Sequence, residues 1–278
     1  MGAAVIVDAH FHVWDLSVRD QDWIDEHSPL RRNFTIEDLV PEARAAGVDH
    51  AVLVQTITVP EETPEFLALA AEHELIAGVV GWTDLTRPDI ADELARLRAL
   101  PGGQYLKGIR HQVQGEPDPQ WLLRADVRRG LAAVADAGLV YDLVVLPHQL
   151  PACVKAAASL PELPFVLDHL GKPPIVSGAL EPWASDVRAL AALPNTVCKL
   201  SGLITEADLA SWTVDDLRPY ADVVLDAFGP QRLMFGSDWP VCTPAASYEQ
   251  VLATAQELTD KADRTQMFEI TATRVYDL

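Results

Sequence analysis

No stretch of this sequence stays apolar long enough to cross a bilayer. A spanning helix needs about 20 apolar residues, and the richest runs, such as Leu139 to Leu146, are short and broken by Asp142. Membranes are therefore not expected partners. Basic residues are scarce as well: lysine and arginine number 21 against 41 acids, the formal charge is -20, and no lysine- or arginine-rich block occurs. General affinity for nucleic acid or anionic lipid is excluded on that ground. Cysteine is limited to Cys153, Cys198 and Cys242. An odd number without the short spacings of metal ligands reads as free thiols in a reducing compartment. The first dozen residues show no basic segment followed by a long apolar one, so the cytoplasm is the expected location. No glycine-rich phosphate turn follows any apolar segment, which argues against an open dinucleotide-binding sheet.

What is present is a chain of 278 residues, 49% of them apolar, enough to bury one large core; residues 1–278 are expected to form a single domain. Eight short segments rich in Val, Ile and Leu read as buried strands. They are Val5 to His12, His50 to Gln55, Ile76 to Trp82, Tyr105 to His111, Leu139 to Val145, Pro164 to His169, Thr196 to Ser201 and Leu233 to Asp238. Helical patterns alternate with them. Ile36 to Ala46 follows Thr35, carries Asp38 three residues after the cap and stops at Gly47; Val214 to Phe228 repeats this with Thr213, Asp216 and Gly229, and both are helix punctuation. Val127 to Ala137 ends at Gly138, Ser247 with Gln250 opens the last helical region, and Pro64 to Glu74, Asp89 to Leu100, Leu150 to Leu160 and Trp183 to Leu193 supply the rest. Strict alternation implies a parallel sheet, and eight units favour an α/β fold of the closed (β/α)8 TIM-barrel type.

Loop lengths show where function lies. Helix-to-strand links such as Gly47 and Gly138 are nearly minimal, whereas Val13 to Asn33, Gln112 to Arg124, Leu170 to Pro182, Gly202 to Trp212 and Trp239 to Ala246 are long and follow strands. That is the elaborated, catalytic face of a barrel.

The titratable residues gather at the same strand ends. His10 and His12 stand two apart at the end of the first strand, so their imidazoles point one way and could share a metal or an oxyanion. Asp238 ends the eighth strand, which closes against the first, so it should meet that pair across the seam. His169 ends the sixth. Lys107, Arg110 and His111 on the fourth strand are candidates for holding a substrate hydroxyl, carboxylate or oxyanion, or else for pairing with Asp142 or Asp168. By position alone, Tyr141 and Asp142 on strand five, Lys199 and Ser201 on strand seven, and Lys172 beyond strand six are further candidates. Trp14, Trp23 and Trp239 would wall a pocket or pack the loops.

At these motifs the chain resembles the amidohydrolase superfamily, in the sugar-lactonase branch that contains L-fuconolactonase, L-rhamnono-lactonase and 2-pyrone-4,6-dicarboxylate lactonase. The resemblance rests on Val7-Asp8-Ala9-His10-Phe11-His12-Val13-Trp14, Leu106-Lys107-Gly108-Ile109-Arg110-His111, Tyr141-Asp142-Leu143, Leu167-Asp168-His169-Leu170-Gly171-Lys172-Pro173 and Met234-Phe235-Gly236-Ser237-Asp238-Trp239-Pro240-Val241-Cys242. It implies that Asp238 is the general base taking a proton from water, with His10, His12 and His169 around the substrate carbonyl, and that the reaction opens a lactone. Strand five lacks the histidine that mononuclear metal sites of the superfamily usually use. Two alternatives follow: His10, His12 and Asp238 hold one divalent ion, zinc by their donor set, or they form a metal-free proton-transfer site.

Three readings stand at this point. The first is a hydrolase opening a sugar-acid lactone, with a small molecule as its partner and a homo-oligomer allowed. The second is a metal-dependent nonoxidative decarboxylase of the same superfamily. The third is a non-catalytic binding barrel, against which the intact histidines and Asp238 argue.

Overall fold

A computed structural model describes residues 5–278, so residues 1–4 of the segment read above for a leader lie outside it. Eight parallel strands form one sheet in sequence order: β1 (Val7–Phe11), β2 (His50–Val54), β3 (Ile76–Gly81), β4 (Leu106–His111), β5 (Val140–Leu143), β6 (Phe165–Leu167), β7 (Thr196–Leu200) and β8 (Leu233–Phe235). The seam between first and last is held by a parallel bridge, Phe11 to Trp239, just past the end of β8. There the His12 amide donates to the Trp239 carbonyl at 2.7 Å and the Asp238 amide to the His10 carbonyl at 2.8 Å. The barrel expected from the alternation is the fold found.

The helices lie outside: α1 (Ile36–Ala45), α2 (Glu62–Glu72), α3 (Ile90–Arg98), α4 (Ala125–Asp136), α5 (Leu150–Ser159), α6 (Trp183–Ala191), α7 (Val214–Phe228), α8 (Tyr248–Glu257) and a short terminal α9 (Thr271–Tyr276). Their starts follow local chemistry. Asp38 accepts from the Thr35 amide at 2.9 Å and Asp216 from the Thr213 amide at 2.8 Å, while Ser247 and Gln250 bond reciprocally at the head of α8, satisfying amides that have no partner in the first turn. Gly47, at φ 77, takes the left-handed turn that ends α1, a conformation costly for a residue with a Cβ. α2 begins two residues earlier than the sequence suggested, because Glu62 turns inward to the Thr56 amide instead of staying in the loop.

Side-chain alternation divides the core in two. Val52, Val54, Val80, Val140, Val166, Val197 and Met234 form an inner cluster with Ala272 and Tyr276 of α9, which closes the barrel's N-terminal end. The opposite phase, including Leu53, Ile109, Tyr141, Phe165 and Phe235, joins the larger cluster beneath the helices. β1 breaks this rule usefully. Val7 and Ala9 belong to the inner cluster, but a register shift against β2 between Asp8 and Phe11 moves the inward phase to His10 and His12. Such shifts re-aim side chains beside active sites.

Candidate active site

His10, His12, Asp238 and His169 converge at the C-terminal mouth of the barrel. Asp238 Oδ1 lies 3.5 Å from His12 Nε2, 3.7 Å from His10 Nε2 and 3.8 Å from His169 Nε2, and His10 Nε2 is 3.1 Å from His12 Nε2. All four residues are buried. The backbone that presents them is unusual: Asp238 has φ 57, and His169, Leu170 and Lys172 have φ 53–54. Left-handed conformations of residues with a Cβ carry strain and concentrate at functional sites. Across from His169, Gly202 leaves room for the ring. A Cβ there would come within 2.6 Å of His169 Nδ1, which instead meets the Ser201 hydroxyl at 2.9 Å.

Beneath these groups lies a buried ionic network. Arg110 donates to Asp168 Oδ2 at 3.0 Å and to Gln55 Oε1 at 2.9 Å, so its guanidinium is fixed from two sides. Lys199, fully buried, donates to Asp142 Oδ2 at 2.6 Å and approaches His10 Nδ1 at 3.1 Å; the Tyr276 hydroxyl also donates to Asp142 at 2.8 Å. A buried ammonium without such acceptors would be strongly destabilising.

The protonation states follow. Burial and, after it, the Lys199 charge hold His10 well below the ordinary histidine range, burial lowers His12, and burial brings His169 down to about 4. All three imidazoles are therefore neutral at pH 7. Burial pushes the Asp238 carboxyl up, but His169, the His12 hydrogen bond and His10 outweigh it and hold the group well below the carboxylate range. Asp238 is thus ionised wherever the protein works.

These groups open on a cavity of about 240 Å³. Its floor is His12, Arg110, His169 and Asp238; Trp23, Gln112, Gln114, Lys172 and Glu206 are among the residues of its wall, with Lys172 Nζ 3.8 Å from Glu206.

Four residues expected from the sequence to bind substrate do not reach this cavity. Lys107, second in β4, lies at the opposite end of the barrel and donates to the Asp277 carbonyl at 2.6 Å. His111 has the outward phase: it stacks on Trp121 with ring centroids 4.2 Å apart and bonds Glu116 and Trp82. Tyr141 also faces outward, buried edge-on to Phe165. Trp14 donates to the Arg32 carbonyl and packs edge-on behind Trp23, which takes the place at the cavity wall. The sequence reading passed over Gln55, Gln112, Gln114, Glu206 and Tyr276. Gln112 and Gln114 directly follow β4 and Glu206 lies in the long loop after β7, positions that strand-end reasoning could have marked; Tyr276 carries no such signal.

His10, His12 and Asp238 also fit a metal. Zinc with bonds of about 2.0–2.2 Å in tetrahedral array sets its ligand atoms about 3.4 Å apart. The three donor atoms stand 3.1, 3.5 and 3.7 Å apart, and two imidazoles with a carboxylate are a zinc donor set.

The amidohydrolase profile matches residues 7–278. An L-fucono-1,5-lactonase of Burkholderia multivorans is 39% identical over 290 residues, covering 99% of this chain and 97% of that protein. An L-fucono-1,5-lactonase of Burkholderia ambifaria is 37% identical over 247 residues, 87% of this chain and 82% of that one. The crystal structure of an amidohydrolase from Burkholderia multivorans with bound zinc superposes with a TM-score of 0.93 at 39% identity, over 99% of this chain and 100% of the other.

Proposed function

The chain belongs to the amidohydrolase family, and from that premise we propose that it is a hydrolase that opens a sugar-acid lactone with Asp238 as general base. One observation carries the reading: an ionised carboxylate, ringed by three neutral imidazoles, faces a polar cavity. The names of the relatives, lactonases of an aldono-1,5-lactone, favour the same bond.

In this reading water sits against Asp238 Oδ1 and gives it a proton as its oxygen adds to the ring carbonyl. Arg110 and His169, both on the cavity floor, stabilise the negative charge that develops on the carbonyl oxygen. The ring C–O bond then breaks, and the proton on Asp238 passes to the departing ring oxygen. Lactone and water become a hydroxy acid, which ionises and leaves a protein of charge -20 readily. Lys172 as donor and Glu206 as acceptor suit ring hydroxyls. The described residues, 5–278, act as one domain. A divalent ion held by His10, His12 and Asp238 would polarise the carbonyl and acidify water.

The three free cysteines are all buried, which suits a reducing cytoplasm, and no described helix is long and apolar enough to cross a membrane. A panel of aldonolactones mixed with the protein under a pH indicator tests the activity. Ring opening releases acid, decarboxylation of an aromatic acid consumes a proton, and a binding barrel does neither; absence of acid release across the panel would refute the proposal.

A further inference from the structure

The cavity wall carries a pair of opposite charges that do not close on each other. Lys172 follows the turn after β6, Glu206 ends a short helical turn in the loop after β7, and both line the cavity. Their Nζ and Oε1 stand 3.8 Å apart, too far for a hydrogen bond but near enough for each charge to offset the other. Ion pairs elsewhere on this chain do close: Arg19 meets Glu65 at 2.8 Å and Arg124 meets Asp126 at 2.6 Å. Lys172 is also held at φ 54, a strained backbone for a residue with a Cβ. The open gap has a use. One hydroxyl oxygen can sit about 2.8 Å from both atoms, accepting from the ammonium and donating to the carboxylate. A substrate carboxylate cannot, because it only accepts and would bring its charge against Glu206. Gln114, also in the wall, has its Oε1 buried without a hydrogen-bond partner and offers a further acceptor to a hydroxyl.

Among the described residues that line the cavity, the lysines and arginines are Arg110 and Lys172. Arg110 is engaged by Asp168 at 3.0 Å and Lys172 is faced by Glu206, so neither is free to neutralise a carboxylate carried by a substrate. We infer that Glu206 is a specificity-determining residue: by countering the charge of Lys172 it makes the pair a reader of hydroxyls and turns away lactones that bear a carboxylate. This rests on the lactonase reading and narrows its substrates to neutral polyhydroxy lactones.

Removing the Glu206 charge alone should then reverse the preference. In Glu206→Gln the side chain keeps its shape and an acceptor oxygen, while Lys172 becomes an uncountered ammonium on the wall. A carboxylate that meets it gains a hydrogen bond between charged groups, worth roughly 10- to 100-fold in affinity, and no longer meets a like charge. A neutral hydroxyl loses a charged acceptor and should bind more weakly. Selectivity is thereby set by a difference, with Glu206 as its repulsive element.

D-Glucono-1,4-lactone and D-glucaro-1,4-lactone differ only in bearing a hydroxymethyl group or a carboxylate at the chain end. Affinity for each is read by stopped-flow tryptophan fluorescence before turnover, Trp23 being part of the cavity wall. The parent should bind the neutral lactone at least roughly tenfold more tightly; equal or reversed affinities, or no binding of either, overturn the inference. Glu206→Gln should shift the ratio roughly 10- to 100-fold toward the carboxylated lactone, and adding Lys172→Met should cancel that shift. A folded Glu206→Gln protein that weakens both lactones alike makes the pair structural and overturns the specificity role. Should Glu206→Gln not fold, Lys172→Met alone decides: it leaves Glu206 uncountered, so the ratio must move further against the carboxylated lactone, and an unmoved ratio overturns the inference. Binding is read without turnover, so failure of the lactonase reading shows as absent acid release in the panel and failure of this inference as a ratio that does not move.

Discussion

Replacing Asp238 by asparagine removes one anionic oxygen and little else. The position is 4% exposed, its amide is bonded to the His10 carbonyl at 2.8 Å, and its φ is 57. Asparagine adopts that left-handed conformation as readily as aspartate, so the backbone should hold. What disappears is the proton acceptor placed 3.5–3.8 Å from three imidazoles. A general base contributes about 100- to 10,000-fold to the rate, or about 2.7–5.4 kcal/mol at about 1.36 kcal/mol per tenfold. The loss should fall on kcat with KM little changed, because the carboxylate acts on water and not on the substrate hydroxyls. The assay is proton release from an aldonolactone after subtraction of spontaneous hydrolysis, with thermal unfolding to establish the fold. Zinc content per chain is measured on the same samples, since Asp238 is also the proposed third ligand. A folded Asp238→Asn protein of unchanged metal content, turning over within about threefold of the parent, would refute the role of Asp238 and return the base to the histidines.

Glu62, buried and raised by that burial from an ordinary 4.5 to about 7, holds its proton in the folded state where the unfolded chain has lost it. Its contribution is therefore present at acid pH and lost as pH rises from about 4.5 to about 7, by about 3 kcal/mol in all. Glu62→Gln should raise the unfolding temperature relative to the parent at pH 8 and hardly at all at pH 4.5; an equal gain at both would contradict the assignment. Trp23→Ala should change relative kcat/KM among aldonolactones by roughly threefold or more, since Trp23 walls the cavity. Trp14→Ala should instead cost about 3–5 kcal/mol in denaturant unfolding, as expected of a buried aromatic. Rates that respond to neither substitution would make the 13–33 loop mere packing. Lys107→Met, at the far end of the barrel, should leave kcat and KM within about twofold of the parent, the scale of a partly exposed substitution; a larger loss would mean that the ends of the barrel communicate.

The strand ends were legible in the sequence because parallel strands fix direction: residues at their C-terminal ends lie at the catalytic mouth. His12, His169 and Asp238 were found by that rule. Applied strictly, it would have excluded Lys107, second in its strand and about 10 Å below Arg110 at the usual rise per residue. It would likewise have separated inward Arg110 and Asp142 from outward His111 and Tyr141, by alternation. The register shift in β1 was not legible. Continuing the phase of Val7 and Ala9 would have turned His10 away from the mouth, and nothing local in the sequence announces the change.

The pairing of the inner charges was hidden for a different reason: its members come from β4, β5, β7, the turn after β6 and the terminal helix, and only closure of the barrel brings them together. A charge inside an apolar strand, as in Lys199 or Asp142, announces that a partner exists without naming it. The pairing nevertheless decides the chemistry. Lys199 takes Asp142 at 2.6 Å and Asp168 at 3.0 Å, and Arg110 takes Asp168 at 3.0 Å as well. Of the inward carboxylates at the mouth, Asp238 is left facing imidazoles alone, none of which carries charge at pH 7. A carboxylate pinned by a cation is a poor proton acceptor, because the cation stabilises the form that has not yet accepted. Among the described residues Asp238 is paired with no lysine or arginine and opens on the cavity, which supports the proposal that it is the base.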